Sequence, residues 1–215
     1  MERLILASNS PRRRELLSLF GWPYEVIPSD IDEIRQPKEF PLEYVRRLAC
    51  EKAHEVALGE QGLVIAADTI VVDGDELLEK PLDEGDAARM LRQLRGRTHQ
   101  VYTGIAILDT QSGQFYEDVC CTDVSMRNYT DDEIQTYIAS GDPMDKAGAY
   151  AIQHPGFHPV ENLTGCYASV MGLPLCHLAV GLRAFGLEIS LELPQRCQDL
   201  LGTHCPDFNG ILGGD

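Results

Sequence analysis

The stretch LILASNSPRRRELL, residues 4–17, predicts a strand that leads directly into the N-terminus of a helix. The apolar residues 4–7 indicate a buried strand. Ser10 is a candidate N-cap and Pro11 suits the first helical position, so we expect a helix over 11–20. Three arginines, residues 12–14, occupy its first turn, where the helix dipole favours anions. Helix stability alone therefore does not explain the arginines.

A bound phosphate group would explain them. Free backbone N–H groups at the helix start, the hydroxyl groups of Ser8 and Ser10, and guanidinium groups that bind oxygens in pairs together favour an anion. From these residues alone, a solvated basic helix end with a single serine cap remains the alternative. We predict a phosphate site at this junction.

Composition and charge narrow the class of protein. The chain has 215 residues, of which 44% are hydrophobic, enough for one large domain or two lobes that share a sheet. Its 34 acidic and 18 basic residues give a net charge of −16, which disfavours nucleic acid and anionic membranes as partners. The 7 cysteines show no paired zinc-ligand spacing, and no signal peptide or membrane span is evident. We expect reduced thiols and a soluble cytoplasmic protein.

Alternating strand and helix patterns predict a mixed α/β fold with an elongated central sheet flanked by helices. The other predicted elements are strands over 24–28, 63–72, 100–109 and 115–126, and helices over 41–58, 83–94, 130–139 and 175–185. Residues 146–153 are predicted to be close to strand-like, and 154–164 to be a loop. The tail after residue 185 loses periodicity, and residues 202–215 are expected to be poorly ordered.

Asp68 stands out because it interrupts the apolar run 63–72. An ionised carboxylate without a partner is very costly to bury, so a functional role explains Asp68 better than packing does. For Lys52 and Lys80, taken alone, a solvated helix face and a turn lysine are the favoured interpretation. The 6 histidines form no ligand pattern.

Six motifs in order resemble the Maf family of nucleotide pyrophosphatases: residues 8–13, 52, 67–69, 79–81, 145–150 and 172–174. The resemblance covers residues 4–182 and implies a Maf/ITPase-like fold with the active site in a cleft. We therefore divide the chain into a Maf-like domain, residues 1–185, and a C-terminal extension, residues 186–215, that is partly disordered.

The resemblance also implies a reaction, the hydrolysis of a nucleoside triphosphate between its α- and β-phosphates with a divalent cation, Mg or Mn. Asp68 matches the catalytic acid of the family, which would orient and deprotonate water and also contact the metal. Glu33 matches a second acid that would help to hold the metal, although an exposed turn acid is the alternative. Arg13, Lys52 and Lys80 would neutralise the phosphates, as phosphoryl transfer requires.

Three positions resemble the branch of the family that acts on dTTP and UTP: Arg12, Thr69 and Gln153. Together with Ser8 they are the expected substrate-binding residues. The amide of Gln153 offers a donor and an acceptor that match thymine or uracil, and after a flip it would also fit cytosine. Pro159 and Cys166 depart from the family pattern in the loop that follows, which leaves the base preference open.

Two other functions fit the sequence less well. A nucleotidyltransferase would carry a glycine-rich loop at the first strand, which this chain lacks. A non-catalytic nucleotide sensor in division control would not need Asp68, Lys52 and Lys80 together. We therefore expect an enzyme that controls non-canonical or excess nucleotides, most simply dTTP and UTP, with CTP or modified nucleotides as the alternative. Its expected partner is a small-molecule nucleoside triphosphate, not nucleic acid or membrane. The sequence does not decide between a monomer and a homodimer.

Overall fold

The computed structural model describes residues 3–213 and has a seven-stranded mixed sheet with helices packed on it. Its strands are β1 Leu4–Leu6, β2 Glu25–Val26, β3 Leu63–Asp73, β4 Glu76–Leu78, β5 Thr98–Asp109, β6 Phe115–Met126 and β7 Val160–Thr164. Its helices are α1 Pro11–Ser18, α2 Pro41–Ala57, α3 Glu84–Leu94, α4 Asp131–Ala139, α5 Tyr167–Val170, α6 Leu175–Ala184, α7 Leu193–Leu201 and α8 Phe208–Leu212. No helix in this part of the chain is long and apolar enough to cross a membrane.

The sheet runs in the order β2-β1-β3-β5-β6-β7, and β4 pairs with the end of β3. β1 is parallel to both β2 and β3. The pairs β3–β5, β5–β6 and β6–β7 are antiparallel. The long strands β3, β5 and β6 give the sheet its length. The predicted mixed α/β fold with an elongated central sheet is confirmed.

The segment 146–153 differs from its prediction. Residues Ala147–Ala149 form a 3₁₀ turn in which Gly148 has φ 69° and Ala149 has φ 60°. Two successive residues with positive φ are incompatible with a strand. A Cβ on Gly148 would lie 3.0 Å from the side chain of Val71, so the small residues here allow close packing against β3.

The segment 154–164 was predicted to be a loop, and its second half is instead strand β7. β7 pairs antiparallel with β6, with an irregularity at Ser125 and Met126. The strand was missed because the apolar and polar residues of 160–164 do not alternate, so the period-2 signal is weak.

The C-terminal tail packs on the rest of the chain through two short helices, α7 and α8. Leu193, at the start of α7, is buried in the same core as Leu16 and Leu17 of α1. Arg183 Nη1 donates to the carbonyl oxygen of Leu212 at 2.9 Å, which ties α8 to α6. Disorder was expected over 202–215, where the structure has α8, and residues 214–215 lie outside the described range. The division into a domain over 1–185 and an extension stays a prediction.

Helix α2 packs across β3 and β5, and Gly104 of β5 sets how closely it approaches. Gly104 pairs with Asp68 in the sheet. A Cβ on Gly104 would lie 2.7 Å from the carbonyl oxygen of Val45, which no real contact of this kind reaches. Val45 precedes Lys52 by two helical turns. The absence of a side chain at residue 104 therefore lets Lys52 come close to Asp68.

We predict that Gly104→Ala lowers the free energy of unfolding by about 1–3 kcal/mol, because an overpacked contact must be relieved by moving the backbone of α2. Chemical denaturation measures this. Gly59→Ala is the matched control, since a Cβ there meets nothing within 4 Å, and it should change the free energy by less than about 0.5 kcal/mol. Equal effects of the two substitutions would show that α2 does not rest on residue 104.

Candidate active site

A cavity of about 400 Å³ opens between the start of α1, helix α2, strand β3 and the 3₁₀ turn. Its wall contains all the predicted site residues: Ser8, Arg12, Arg13, Glu33, Lys52, Asp68, Thr69, Lys80 and Gln153. These residues are spread over 146 positions of the sequence, and the fold brings them to one surface. The individual role of each residue stays a prediction.

The turn between β1 and α1 is built as the sequence indicated. Ser10 is the N-cap of α1, and its Oγ accepts a hydrogen bond from the backbone N–H of Arg13 at 3.4 Å. Pro11 is the first helical residue. The Oγ of Ser8 accepts from the backbone N–H of Ser10 at 3.2 Å. These bonds hold the first turn of the helix, with Arg12 and Arg13, at the edge of the cavity. Arg14, the third arginine of this turn, lies outside the cavity wall and donates to Asn9.

The guanidinium group of Arg13 is held from three sides. Its Nε donates to the carbonyl oxygen of Gly172 at 2.9 Å, its Nη1 to Ser8 Oγ at 3.2 Å and its Nη2 to Thr69 Oγ1 at 3.2 Å. These bonds occupy three of the five N–H groups and leave two for a ligand. Burial lowers the pKa of Arg13, against the opposing effect of the Asp68 and Glu33 carboxylates, and the group stays a cation at neutral pH.

Among the residues that bond Arg13, residue 172 is the position where glycine is required. It has φ 108°, a conformation that L side chains rarely adopt, and a Cβ there would lie 3.1 Å from Arg13 Nε. Any side chain at residue 172 would therefore strain the backbone and crowd the guanidinium group.

Lys52 explains how Asp68 can be buried as a carboxylate. Lys52 Nζ lies 2.6 Å from Asp68 Oδ1 and 2.6 Å from Glu33 Oε1, and Lys52 and Asp68 are only 6% and 5% exposed. Burial raises the pKa of Glu33, but the hydrogen bond and charge of Lys52 outweigh it and hold that pKa below its usual value. One ammonium group thus pairs with two carboxylates.

This pair of carboxylates suits a divalent cation that is bound jointly with a substrate. Among residues 3–213 no group of three or more histidine, cysteine or acidic side chains could hold a metal by itself. Mg²⁺ is usually held by one or two carboxylates together with substrate phosphates and water. Asp68 and Glu33 supply hard oxygen ligands of this kind at one point of the cavity. They fit the predicted metal, and phosphate oxygens would complete its ligand shell.

Lys80 connects the main cavity with a second one. It follows β4 and contributes to the wall of both the main cavity and an adjoining cavity of about 180 Å³. Asp68, Thr69 and Glu33 also line both. The acidic pair is therefore reached from two sides.

Sequence reasoning assigned no role to several residues of the cavity wall. Lys146 is buried there, with Nζ 2.6 Å from Asp145 Oδ1. Tyr150 lies in the wall, and its hydroxyl group is 2.8 Å from Nε2 of the buried His99. The motif over 145–150 resembles the family, but nothing in the sequence connects residue 150 with residue 99.

Because burial lowers the pKa of His99 from 6.5 to about 4, the unfolded chain binds a proton at His99 at a higher pH than the folded protein does. The contribution of His99 to the free energy of unfolding should therefore fall by about 2 kcal/mol as the pH drops from 7 to 5. His99→Gln keeps a hydrogen-bonding group but does not titrate, so its free energy of unfolding should fall by that much less over the same range. Equal losses in both proteins, measured by urea denaturation at the two pH values, would contradict this account of His99.

The comparisons with known proteins agree with the motifs. The family model described as "Maf-like protein" matches residues 3–185. A relative from Desulforamulus reducens named "dTTP/UTP pyrophosphatase" is 46% identical over 190 residues, which cover 88% of this chain and 100% of the relative. One of the same name from Shigella dysenteriae is 51% identical over 177 residues, which cover 81% of this chain and 89% of the relative.

Among solved structures, a nucleoside-triphosphatase / dITP/XTP pyrophosphatase from Mycobacterium abscessus is 13% identical to this chain, with a TM-score of 0.40. The alignment covers 86% of this chain and 97% of that structure. The fold and the cavity define a mixed α/β protein with a cleft lined by arginine, lysine and carboxylate groups. This chain belongs to the Maf family, as the family model and the two relatives show.

Proposed function

We propose that this protein hydrolyses dTTP and UTP to the nucleoside monophosphate and pyrophosphate, with a divalent cation, Mg²⁺ or Mn²⁺, as cofactor. The observation that carries the proposal is the position of Lys52 between Asp68 and Glu33 in the cavity that also holds the guanidinium group of Arg13. The names of the two relatives support the choice of substrates. Such an enzyme removes non-canonical or excess nucleotides.

In the proposed reaction, the carboxylate of Asp68 accepts a proton from the water that attacks the α-phosphorus. Phosphoryl transfer depends mainly on positioning and on neutralising charge at the phosphate oxygens. Arg13 and Lys80 supply positive charge in the cavity wall, and Lys52 holds the carboxylate in place. A bound divalent cation would add charge stabilisation at the phosphates, with Asp68 and Glu33 as its protein ligands.

The choice of base is assigned to Arg12, Thr69 and Gln153, which all line the cavity. The side-chain amide of Gln153 can pair with the O4 acceptor and the N3–H donor of uracil or thymine. Cytosine presents the reverse pattern, which a flipped amide would accept, so CTP is the alternative substrate.

The proposal also places the protein in the cytoplasm and leaves a homodimer as a prediction. All seven cysteines are free thiols in the structure, which supports a reducing compartment.

The direct test is a panel of canonical and modified nucleoside triphosphates, assayed separately for pyrophosphate and orthophosphate in the presence of Mg²⁺ or Mn²⁺. We expect pyrophosphate from dTTP and UTP at the highest kcat/KM, and loss of turnover when a chelator removes the cation. Release of orthophosphate as the main product would contradict the assigned reaction. A purine triphosphate as the best substrate would contradict the assigned base.

Asp68→Asn should remove nearly all turnover and leave the fold and most nucleotide affinity intact, because asparagine keeps the shape but not the basicity or charge that activate water. Steady-state pyrophosphate release and nucleotide binding by calorimetry measure the two effects. Asp73→Asn is the matched control, since Asp73 ends the same strand but pairs with Arg97 outside the cavity. If Asp68→Asn kept a tenth of wild-type turnover, Asp68 would not be the base.

Substitutions of Arg12 and Arg13 should affect different kinetic quantities. Arg13→Ala should lower kcat for every triphosphate alike, because the buried guanidinium group stabilises charge on the phosphates. The activation free energy should rise by about 2–4 kcal/mol. Arg12→Ala should instead change the ratio of kcat/KM between dTTP or UTP and purine triphosphates. Steady-state kinetics on the same panel compares them, and equal effects on all bases would refute this division.

A further inference from the structure

Thr103 lies next to Thr69 on the neighbouring strand and is not part of the cavity wall. The two residues are paired across β3 and β5, and Thr103 is 0% exposed. Thr103 Oγ1 donates to the carbonyl oxygen of Ser169 at 2.7 Å and lies 3.0 Å from Thr69 Oγ1. Thr69 Oγ1 in turn accepts from Arg13 Nη2. Four groups therefore form one chain of hydrogen bonds from the buried strand to the guanidinium group.

The chemistry of the groups at its ends sets the direction of this chain. A guanidinium group can only donate, and a carbonyl oxygen can only accept. Because Thr103 gives its single hydroxyl hydrogen to the carbonyl oxygen of Ser169, it can only accept from Thr69. The hydroxyl hydrogen of Thr69 is therefore committed to Thr103. Thr69 is left with lone pairs alone, and one of them accepts from Arg13.

We propose that Thr103 is a positioning residue for Arg13 and acts through the hydroxyl group of Thr69; this rests on the proposed function. Without Thr103 Oγ1, the Thr69 hydroxyl group is free to rotate, and its hydrogen can turn toward the guanidinium group, which has no acceptor to offer. One of the three bonds that orient Arg13 would then be lost for part of the time. Thr103 thus keeps Thr69 facing Arg13 as an acceptor.

The same direction limits what Thr69 can offer a nucleotide. Its hydrogen is already used, so toward the cavity it presents only its remaining lone pair. It can accept from an N–H or O–H group of the base or sugar, and it cannot donate to a phosphate or carbonyl oxygen. Thr69 is therefore a contact for the donor groups of the nucleoside and not for the triphosphate.

The test begins with Thr103→Val, which keeps the shape of the side chain and removes the hydroxyl group. We expect kcat for UTP to fall about tenfold, because small displacements of a catalytic group have effects of this order or larger. Thr103→Ser restores the hydroxyl group and should stay within twofold of wild type. Thr122→Val is the matched control, since Thr122 is also 0% exposed, lies on the adjacent strand and donates to the carbonyl oxygen of Cys166 at the start of α5. The kcat of Thr122→Val for UTP should stay within twofold of wild type.

A double-mutant cycle separates positioning from a general structural effect. If Thr103 acts through Arg13, then Thr103→Val should change kcat less than twofold in an Arg13→Ala background. An equal loss in both backgrounds, or a kcat for Thr103→Val within twofold of wild type, would overturn the proposal. Should Thr103→Val fail to fold, Thr69→Val breaks the same chain from the cavity side and must give a comparable loss of kcat, and retention of wild-type kcat there would overturn it equally.

The same assays distinguish failure of the proposed function from failure of the role of Thr103. If wild-type protein releases no pyrophosphate from UTP or dTTP, the proposed function is wrong and the role of Thr103 falls with it. If the wild type is active and the cycle is additive, only the role of Thr103 is wrong.

Discussion

The ion pair between Lys52 and Asp68 is the interaction on which the cavity depends. A carboxylate in the middle of an apolar strand would be strongly destabilising without a partner, and Lys52 supplies that partner at 2.6 Å. The same ammonium group reaches Glu33, so its removal would leave two carboxylates close together with no charge between them. Helix α2, strand β3 and the segment before α2 are all positioned so that these three groups meet.

The surrounding structure serves the same arrangement at a distance. Gly104 lets α2 approach the sheet, and Gly172 leaves room for the guanidinium group of Arg13. One backbone carbonyl group and two hydroxyl groups, rather than other charges, orient Arg13. Charge that develops on a bound triphosphate would therefore meet groups that are already in place, which is the main requirement for catalysis by electrostatic stabilisation.

How far the sequence predicts this molecule depends on the kind of signal. Long periodic segments such as α2 and the β5–β6 hairpin were predicted within a few residues, because burial of one face leaves a clear pattern. Asp68 was identified from local sequence because a charge in an apolar run has few structural explanations. Lys52 and Lys80 needed the family resemblance, since a lysine on a helix or in a turn is ordinary.

Other features leave no local trace. The short strand β7 has no alternation, and the 3₁₀ turn at Ala147–Ala149 depends on packing against Val71. In the sequence Thr103 is an ordinary strand residue. Its position next to Thr69 follows only from the register of β3 with β5. Residues that position other residues are fixed by tertiary contacts, and a single sequence does not display those contacts.

The central claim is that Asp68, held by Lys52, directs water to the α-phosphorus of a nucleoside triphosphate. Hydrolysis of UTP in water enriched in oxygen-18, followed by mass spectrometry of the products, tests it most directly. We expect one labelled oxygen in the monophosphate and none in the pyrophosphate. A label in pyrophosphate, or in orthophosphate formed together with the diphosphate, would contradict it.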